Sequence, residues 1–322
     1  MQMSAQSPER LLQRLDWTVV RRLDGLLQGD YRTLFRGFGL DLAGLREYQM
    51  TDDVRYIDWN VTARMQTPYV RQYTEDREVT AWFLLDMSPS VDFGTVQTLK
   101  RNVLIDFVTV LARLLTRHGN RVGAILYSGK VEGVIPARSG RHHVLRLLDA
   151  LLSLPKLKHA PPTDLAPLLE AALRMIKRRS LVFVVSDFIS PPGWDKPLGM
   201  LTQRHDVLAV RLHDPRETEL PDIGSIILED AESGEQLFVD THDRRFRRRF
   251  ADAARRREYE LHVALSRVGV DVLELSTEGD LVQEIVKAAT LRKQRTKAPA
   301  SFARSYARGL TPGPTGMDGP SA

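Results

Sequence analysis

Cysteine is absent from this 322-residue chain. That excludes disulfides, thiolate metal sites and cysteine nucleophiles, and it fits a reducing compartment. Long apolar runs are absent too. The N-terminal stretch is broken by Glu9, Arg10, Arg14, Asp16, Arg21 and Arg22, so it holds no apolar core of signal-peptide length. Nothing later approaches the roughly 20 apolar residues of a bilayer span. The most apolar stretch, residues 181–185, is the length of a strand. The expectation is a cytoplasmic protein with no membrane span. The chain also lacks a Gly-x-x-x-x-Gly-Lys-Ser/Thr phosphate loop, a Gly-x-Ser-x-Gly elbow and a His-Glu-x-x-His motif. Those absences remove the common ATPase, serine-hydrolase and zinc-hydrolase readings. Charge is only mildly unbalanced, at +5, which permits anionic partners without requiring them.

What is present is a rhythm. Residues 79–85 form a short, nearly continuous apolar run, the mark of a strand buried on both faces. Residues 99–115 carry Val103, Leu104, Phe107, Val110, Leu111 and Leu114 as a helical stripe. Strand patterns return at 122–127, 131–135, 181–185, 206–212 and 271–275, with helical patterns at 142–152, 165–175 and 281–292. Gly129 between the second and third strand runs marks a tight turn. Alternating strands and helices imply an α/β fold with a mostly parallel, Rossmann-like sheet covered on both faces.

The expected organisation is an N-terminal extension over 1–76, packed on a main domain over 77–293, then a disordered Pro- and Gly-rich tail over 294–322. A small hairpin near 225–240, turning at Ser233-Gly234, interrupts the main domain before a long helix over 244–267. That helix bears Arg244, Arg245, Arg247, Arg248 and Arg249, interleaved with Phe246 and Phe250. The pattern reads as a solvated basic face, and no nucleic-acid motif accompanies it. Trp59, Trp82 and Trp194 are expected as packing anchors.

The chemistry concentrates at Asp86-Met-Ser-Pro-Ser90, directly after the first buried strand. Ligands of open α/β sheets collect at the carboxyl ends of strands. Asp86, Ser88 and Ser90 supply a carboxylate and two hydroxyls from one turn, an all-oxygen set suited to Mg²⁺ or Mn²⁺. Thr163-Asp164 and Ser186-Asp187 fall at other strand or helix ends, where Asp187 would provide a second carboxylate. The competing structural reading is a helix cap made by Asp86, Ser88 or Ser90.

The ordered set Asp86, Ser88, Ser90, Thr163 and Asp187 resembles the metal-ion-dependent adhesion site of von Willebrand factor A domains. The blocks Leu45 to Tyr48, Asp52 to Arg55, Ile57 to Trp59, Thr62 to Arg64, Gly140-Arg141 and Ser186 to Phe188 resemble the signature of the bacterial domain of unknown function 58 family. The likeness implies a von Willebrand factor A-type three-layer sandwich. It implies hydroxyl ligands at Ser88, Ser90 and Thr163, with Asp86 and Asp187 holding the cation directly or through water. It also implies one open position for an Asp or Glu of a partner protein, and action beside a MoxR-type AAA+ ATPase in maturing or assembling other proteins. Alternating Arg and Asp between Arg46 and Arg64 read as ion pairs that pin the N-terminal segment to the main domain.

An enzyme remains the rival class: a metal-dependent hydrolase or phosphotransferase with Asp86 as nucleophile. Such phosphatases place a second Asp two residues on as the proton donor, and here that position is Ser88. The sequence therefore favours a binding module over a catalyst.

Overall fold

The computed structural model describes residues 7–23, 45–49, 59–65, 67–71, 79–94, 98–157 and 163–297. The Asp52, Asp53, Arg55 and Asp58 stretch and the tail beyond Lys297 lie outside them. In chain order the first elements are α1 (Pro8–Leu15), β1 (Leu45–Glu47), α2 (Trp59–Met65) and β2 (Tyr69–Arg71). There follow β3 (Thr80–Asp86), α3 (Lys100–Arg117), β4 (Arg121–Tyr127), β5 (Val131–Arg138), α4 (Arg141–Ser153) and α5 (Ala166–Met175). Next come β6 (Leu181–Ser186), α6 (Asp195–Arg204), β7 (Asp206–His213), β8 (Ser225–Glu229) and β9 (Gln236–Asp240). The last are α7 (Arg244–Val268), β10 (Asp271–Ser276) and α8 (Leu281–Lys297).

Six strands make one sheet in the order β10-β7-β6-β3-β4-β5, parallel except for the edge strand β5. The apolar runs occupy its centre because helices cover both faces. Alternation along β3 sends Ala81, Phe83 and Leu85 into one core and Leu84 into the other. The first core takes the apolar sides of α1, α3, α4 and α8, and the second takes those of α5, α6 and α7. Phe83 stacks on Phe183 at 4.9 Å, and Phe107 from α3 meets both rings edge-on at 6.5 and 6.0 Å. The result is a mixed α/β fold with a mostly parallel central sheet flanked by helices. Among the described residues no helix is long and apolar enough to cross a membrane.

Three local expectations need correction. Trp59 is not a packing anchor: it stands 69% exposed at the start of α2. Helix α8 continues to Lys297 rather than ending near Arg292, because residues 293–297 contain neither Pro nor Gly and are mostly good helix formers. Helix α6 had no counterpart in the sequence pattern. Pro197 and Gly199 obscure its stripe, although Leu198 and Leu201 are fully buried.

Candidate functional site

Strand order places the site. β3 sits at the middle of the sheet; the chain first pairs β4 on one side of it and later returns to pair β6 on the other. The reversal lies at the carboxyl ends of β3 and β6, where a crevice forms in sheets of this kind. Asp86 is the last residue of β3, and Ser186 is the last of β6 with Asp187 next in the chain.

Asp86 is fully buried. One carboxylate oxygen accepts the Ser88 amide at 3.0 Å, and the other accepts the Ser186 hydroxyl at 2.7 Å. Burial, and then the charge of Asp187, push its carboxyl up to about 6, against the opposing pull of the Ser186 and Ser88 hydrogen bonds. Ser88 stands at the cap position of a short 3-10 turn, Pro89–Asp92, yet its hydroxyl makes no capping bond. It pairs instead with the Ser90 hydroxyl at 3.0 Å, and both residues are buried. The cap reading therefore accounts for the backbone of this loop but not for its two hydroxyls.

Asp187 is buried beside this loop's neighbour strand, and Phe188 holds a left-handed backbone, φ 57°, that turns the chain sharply after β6. Such a conformation is strained for a bulky residue, and strain of this sort gathers at functional sites. Ser186 and packing support it: the Phe188 amide donates to the Ser186 hydroxyl at 2.9 Å, and its ring meets Trp194 at 5.6 Å. The turn aims the Asp187 carboxylate at Ile189 N (3.0 Å) and at the Lys100 ammonium (2.7 Å). Lys100 lies in the first turn of α3, 1% exposed, and also donates to Glu217 at 2.7 Å. Burial opposes the charge on Lys100, but the two carboxylates outweigh it and hold the ammonium above its usual range.

Thr163 is buried in a loop tied to both of its neighbours. The Tyr127 hydroxyl, at the end of β4 and in register with Asp86, donates to the Asp164 carbonyl at 2.6 Å. The Leu165 amide donates to the Ser190 hydroxyl, just beyond Asp187, at 3.1 Å. Burial, followed by the charges of Asp164 and Asp86, pushes the Tyr127 hydroxyl up to about 12, so it stays a donor. Thr163 itself donates to Glu232, from the turn between β8 and β9, through both its amide (3.0 and 3.1 Å) and its hydroxyl (2.5 Å).

The structure thus brings Asp86, Ser88 and Ser90 together in one loop, sets Asp187 close enough to perturb Asp86, and ties the Thr163 loop to the end of β4 and to the segment that follows β6. Sequence reasoning marked Ser186 at a strand end but gave it no role, and it missed Lys100 and Glu232. Lys100 had a signal, since a cation in the first turn of a helix opposes the helix dipole and needs a reason. Among the described residues no three Asp, Glu, His or Cys side chains group to hold a metal ion, so a cation here would draw on hydroxyls as well. Two carboxylates and three hydroxyls are hard oxygen donors and fit Mg²⁺ or Mn²⁺. Lys100 on Asp187 and Glu232 on Thr163 are the contacts such a cation would have to share or replace.

Residues 44–260 match the family described as "Protein of unknown function DUF58". The uncharacterized proteins Rv1480 of Mycobacterium tuberculosis and Mb1516 of Mycobacterium bovis are each 37% identical to this chain over 285 residues, covering 88% of it and 89% of their own length. Among solved structures, BatB of Bacteroides thetaiotaomicron aligns at 13% identity and a TM-score of 0.42, covering 68% of this chain and 99% of its own. An aerotolerance-related membrane protein of Bacteroides fragilis aligns at 15% identity and a TM-score of 0.44, covering 67% and 99%.

Proposed function

This chain belongs to the DUF58 family, and from that premise and the geometry of the strand ends we propose that it is a metal-dependent protein-binding module of the von Willebrand factor A type. Asp86 and Asp187 would hold Mg²⁺ or Mn²⁺, directly or through water, with Ser88, Ser90 and Thr163 offering hydroxyl oxygens. The bound cation supplies a point of attraction for an Asp or Glu of a partner. The chain's own part is to keep the donors dry and oriented: Ser186 and the Ser88 amide fix Asp86, Phe188 turns Asp187 inward, and Tyr127 steadies the Thr163 loop.

The observation that carries this reading is the buried Ser88–Ser90 hydroxyl pair beside a buried, neutral-bonded Asp86 at the switch point of the sheet. A hydroxyl used as a cap would bond to a backbone amide, and the Ser88 hydroxyl makes no such capping bond. Binding rather than turnover is favoured because the position two residues after Asp86 is Ser88, which cannot replace a carboxylic acid as proton donor. Family resemblance extends the proposal to its setting, with a MoxR-type AAA+ ATPase as the expected partner in maturing other proteins. Calorimetric titration of Mg²⁺ and Mn²⁺ into the wild type and Asp86→Ala tests the site. Saturable binding lost in the variant supports it, and equal binding in both sinks it.

A further inference from the structure

The turn between β8 and β9 is built to present one side chain. One Asp230 carboxylate oxygen accepts the amides of Glu232 (3.1 Å) and Ser233 (2.6 Å) and the Ser233 hydroxyl (2.9 Å). Gly234, at φ 73°, closes the turn, its amide donating to the Asp230 carbonyl at 2.8 Å. These bonds fix the backbone under Glu232, whose carboxylate takes both donors of Thr163, a residue 69 positions earlier. At the other end of the hairpin, Thr241 donates to the Gly224 carbonyl at 2.6 Å and accepts the Ile223 amide at 3.0 Å. Between base and tip most of the stem faces solvent, with Ile227 60%, Leu237 58% and Phe238 71% exposed, and Val239, next to the base, is the one buried residue of its two strands. The hairpin is therefore an arm clamped at its base, and at its tip one carboxylate seats on Thr163.

Thr163 is one of the residues assigned above to the cation, and that cation would take a carboxylate. We infer that Glu232 is the chain's own stand-in for the partner's acidic side chain, and that the partner, presenting an Asp or Glu on a tight turn, binds by displacing the hairpin tip. The inference rests on the metal-binding reading and adds to it the form of the ligand and a competitor held in cis. Exchange of one carboxylate for another asks little of the site, and the sparse stem packing lets the arm swing without unpacking the core. While the tip is seated only a fraction of molecules can accept a partner, so the apparent affinity is lowered by that fraction.

The test uses the full chain, in which Glu235→Cys creates a single thiol for a nitroxide on the exposed tip. Spin-label mobility is read with Mg²⁺ and a hexaglutamate peptide, beside calorimetry of Mg²⁺ and of the peptide. The expected result is a slow spectrum that becomes fast in Glu232→Ala, and also on adding peptide with Mg²⁺ but not in Asp86→Ala. Glu232→Gln should bind the peptide about tenfold tighter than the wild type, as expected if roughly a tenth of wild-type molecules are open. A spectrum indifferent to Glu232→Ala, or peptide affinity unchanged in Glu232→Gln while Mg²⁺ still binds, overturns the inference and leaves the metal site standing. Calorimetry that shows no Mg²⁺ binding in any variant overturns the metal reading itself, and the displacement with it.

Discussion

Replacing Lys100 by methionine tests whether the carboxyl edge of the sheet must hold positive charge. Methionine keeps the length and apolar body of the side chain and removes only the ammonium. Lys100 Nζ lies 2.7 Å from both Asp187 and Glu217, and the three side chains are 1%, 2% and 23% exposed. Glu217 can recover its hydration, whereas Asp187 cannot. Breaking a buried pair by removing one partner costs about 3–5 kcal/mol, because the other charge is left buried and uncompensated. At about 2–4 °C per kcal/mol for a folded unit of this size, melting should fall by roughly 6–20 °C in EDTA. If Asp187 belongs to a cation site, Mg²⁺ at a hundredfold excess over its dissociation constant should return about 2.7 kcal/mol. The double variant Lys100→Met/Asp187→Asn should recover most of the loss in EDTA, since removing both charges of a buried pair is nearly neutral. It should show no Mg²⁺ rescue. Circular-dichroism melts and urea titrations, with and without Mg²⁺, measure all of this. A single variant within about 1 kcal/mol of wild type in EDTA refutes the charge argument. A full loss that Mg²⁺ does not relieve refutes the link between Asp187 and a cation.

Further consequences follow from other parts of the structure. Tyr127→Phe removes the bond to the Asp164 carbonyl and should cost about 1 kcal/mol of stability while weakening Mg²⁺ binding several-fold; unchanged calorimetric affinity would show that the Thr163 loop does not depend on it. Phe83→Ala opens the aromatic trio with Phe107 and Phe183 and should lose about 3–5 kcal/mol in urea unfolding. A loss under about 1 kcal/mol would mean that the central strands do not rely on that contact. His205 is buried, and neither ring nitrogen has a hydrogen-bond partner among the described residues; burial, then Arg204, holds it below its ordinary 6.5. The unfolded chain therefore takes up this proton first as pH falls, so the neutral histidine's contribution is present above 6.5 and lost below it. Unfolding free energy compared between pH 7.5 and 5.5 should fall less in His205→Leu than in wild type, and parallel losses would contradict the assignment.

The central sheet was legible because strands covered on both faces must be apolar throughout, as residues 181–185 are, and because Gly129 announced the one antiparallel return. Asp86, Ser88 and Ser90 were legible as a set because they are close in sequence at the end of such a strand. Their meeting with Asp187 depends on β6 returning beside β3, which strand order decides and local sequence does not. Lys100 and Glu232 were hidden for a related reason: they bond to residues 87 and 69 positions away, and nothing about an isolated lysine or glutamate announces such a partner. Helix α6 was hidden differently, by Pro197 and Gly199 standing where a helical pattern would place better helix formers. Within the signature blocks, Phe188 has a physical task that its residue type conceals, since a left-handed turn ordinarily calls for glycine.

The account stands on a cation held by Asp86, Ser88, Ser90, Thr163 and Asp187. Its most direct test is calorimetric titration of Mg²⁺ and Mn²⁺ into the metal-stripped full chain, the Asp86→Ala variant and the Ser88→Ala/Ser90→Ala variant. The account predicts one saturable site in the wild type, abolished in Asp86→Ala and weakened at least tenfold, about 1.4 kcal/mol, when the hydroxyl pair is removed. Equal metal binding by all three proteins would contradict it.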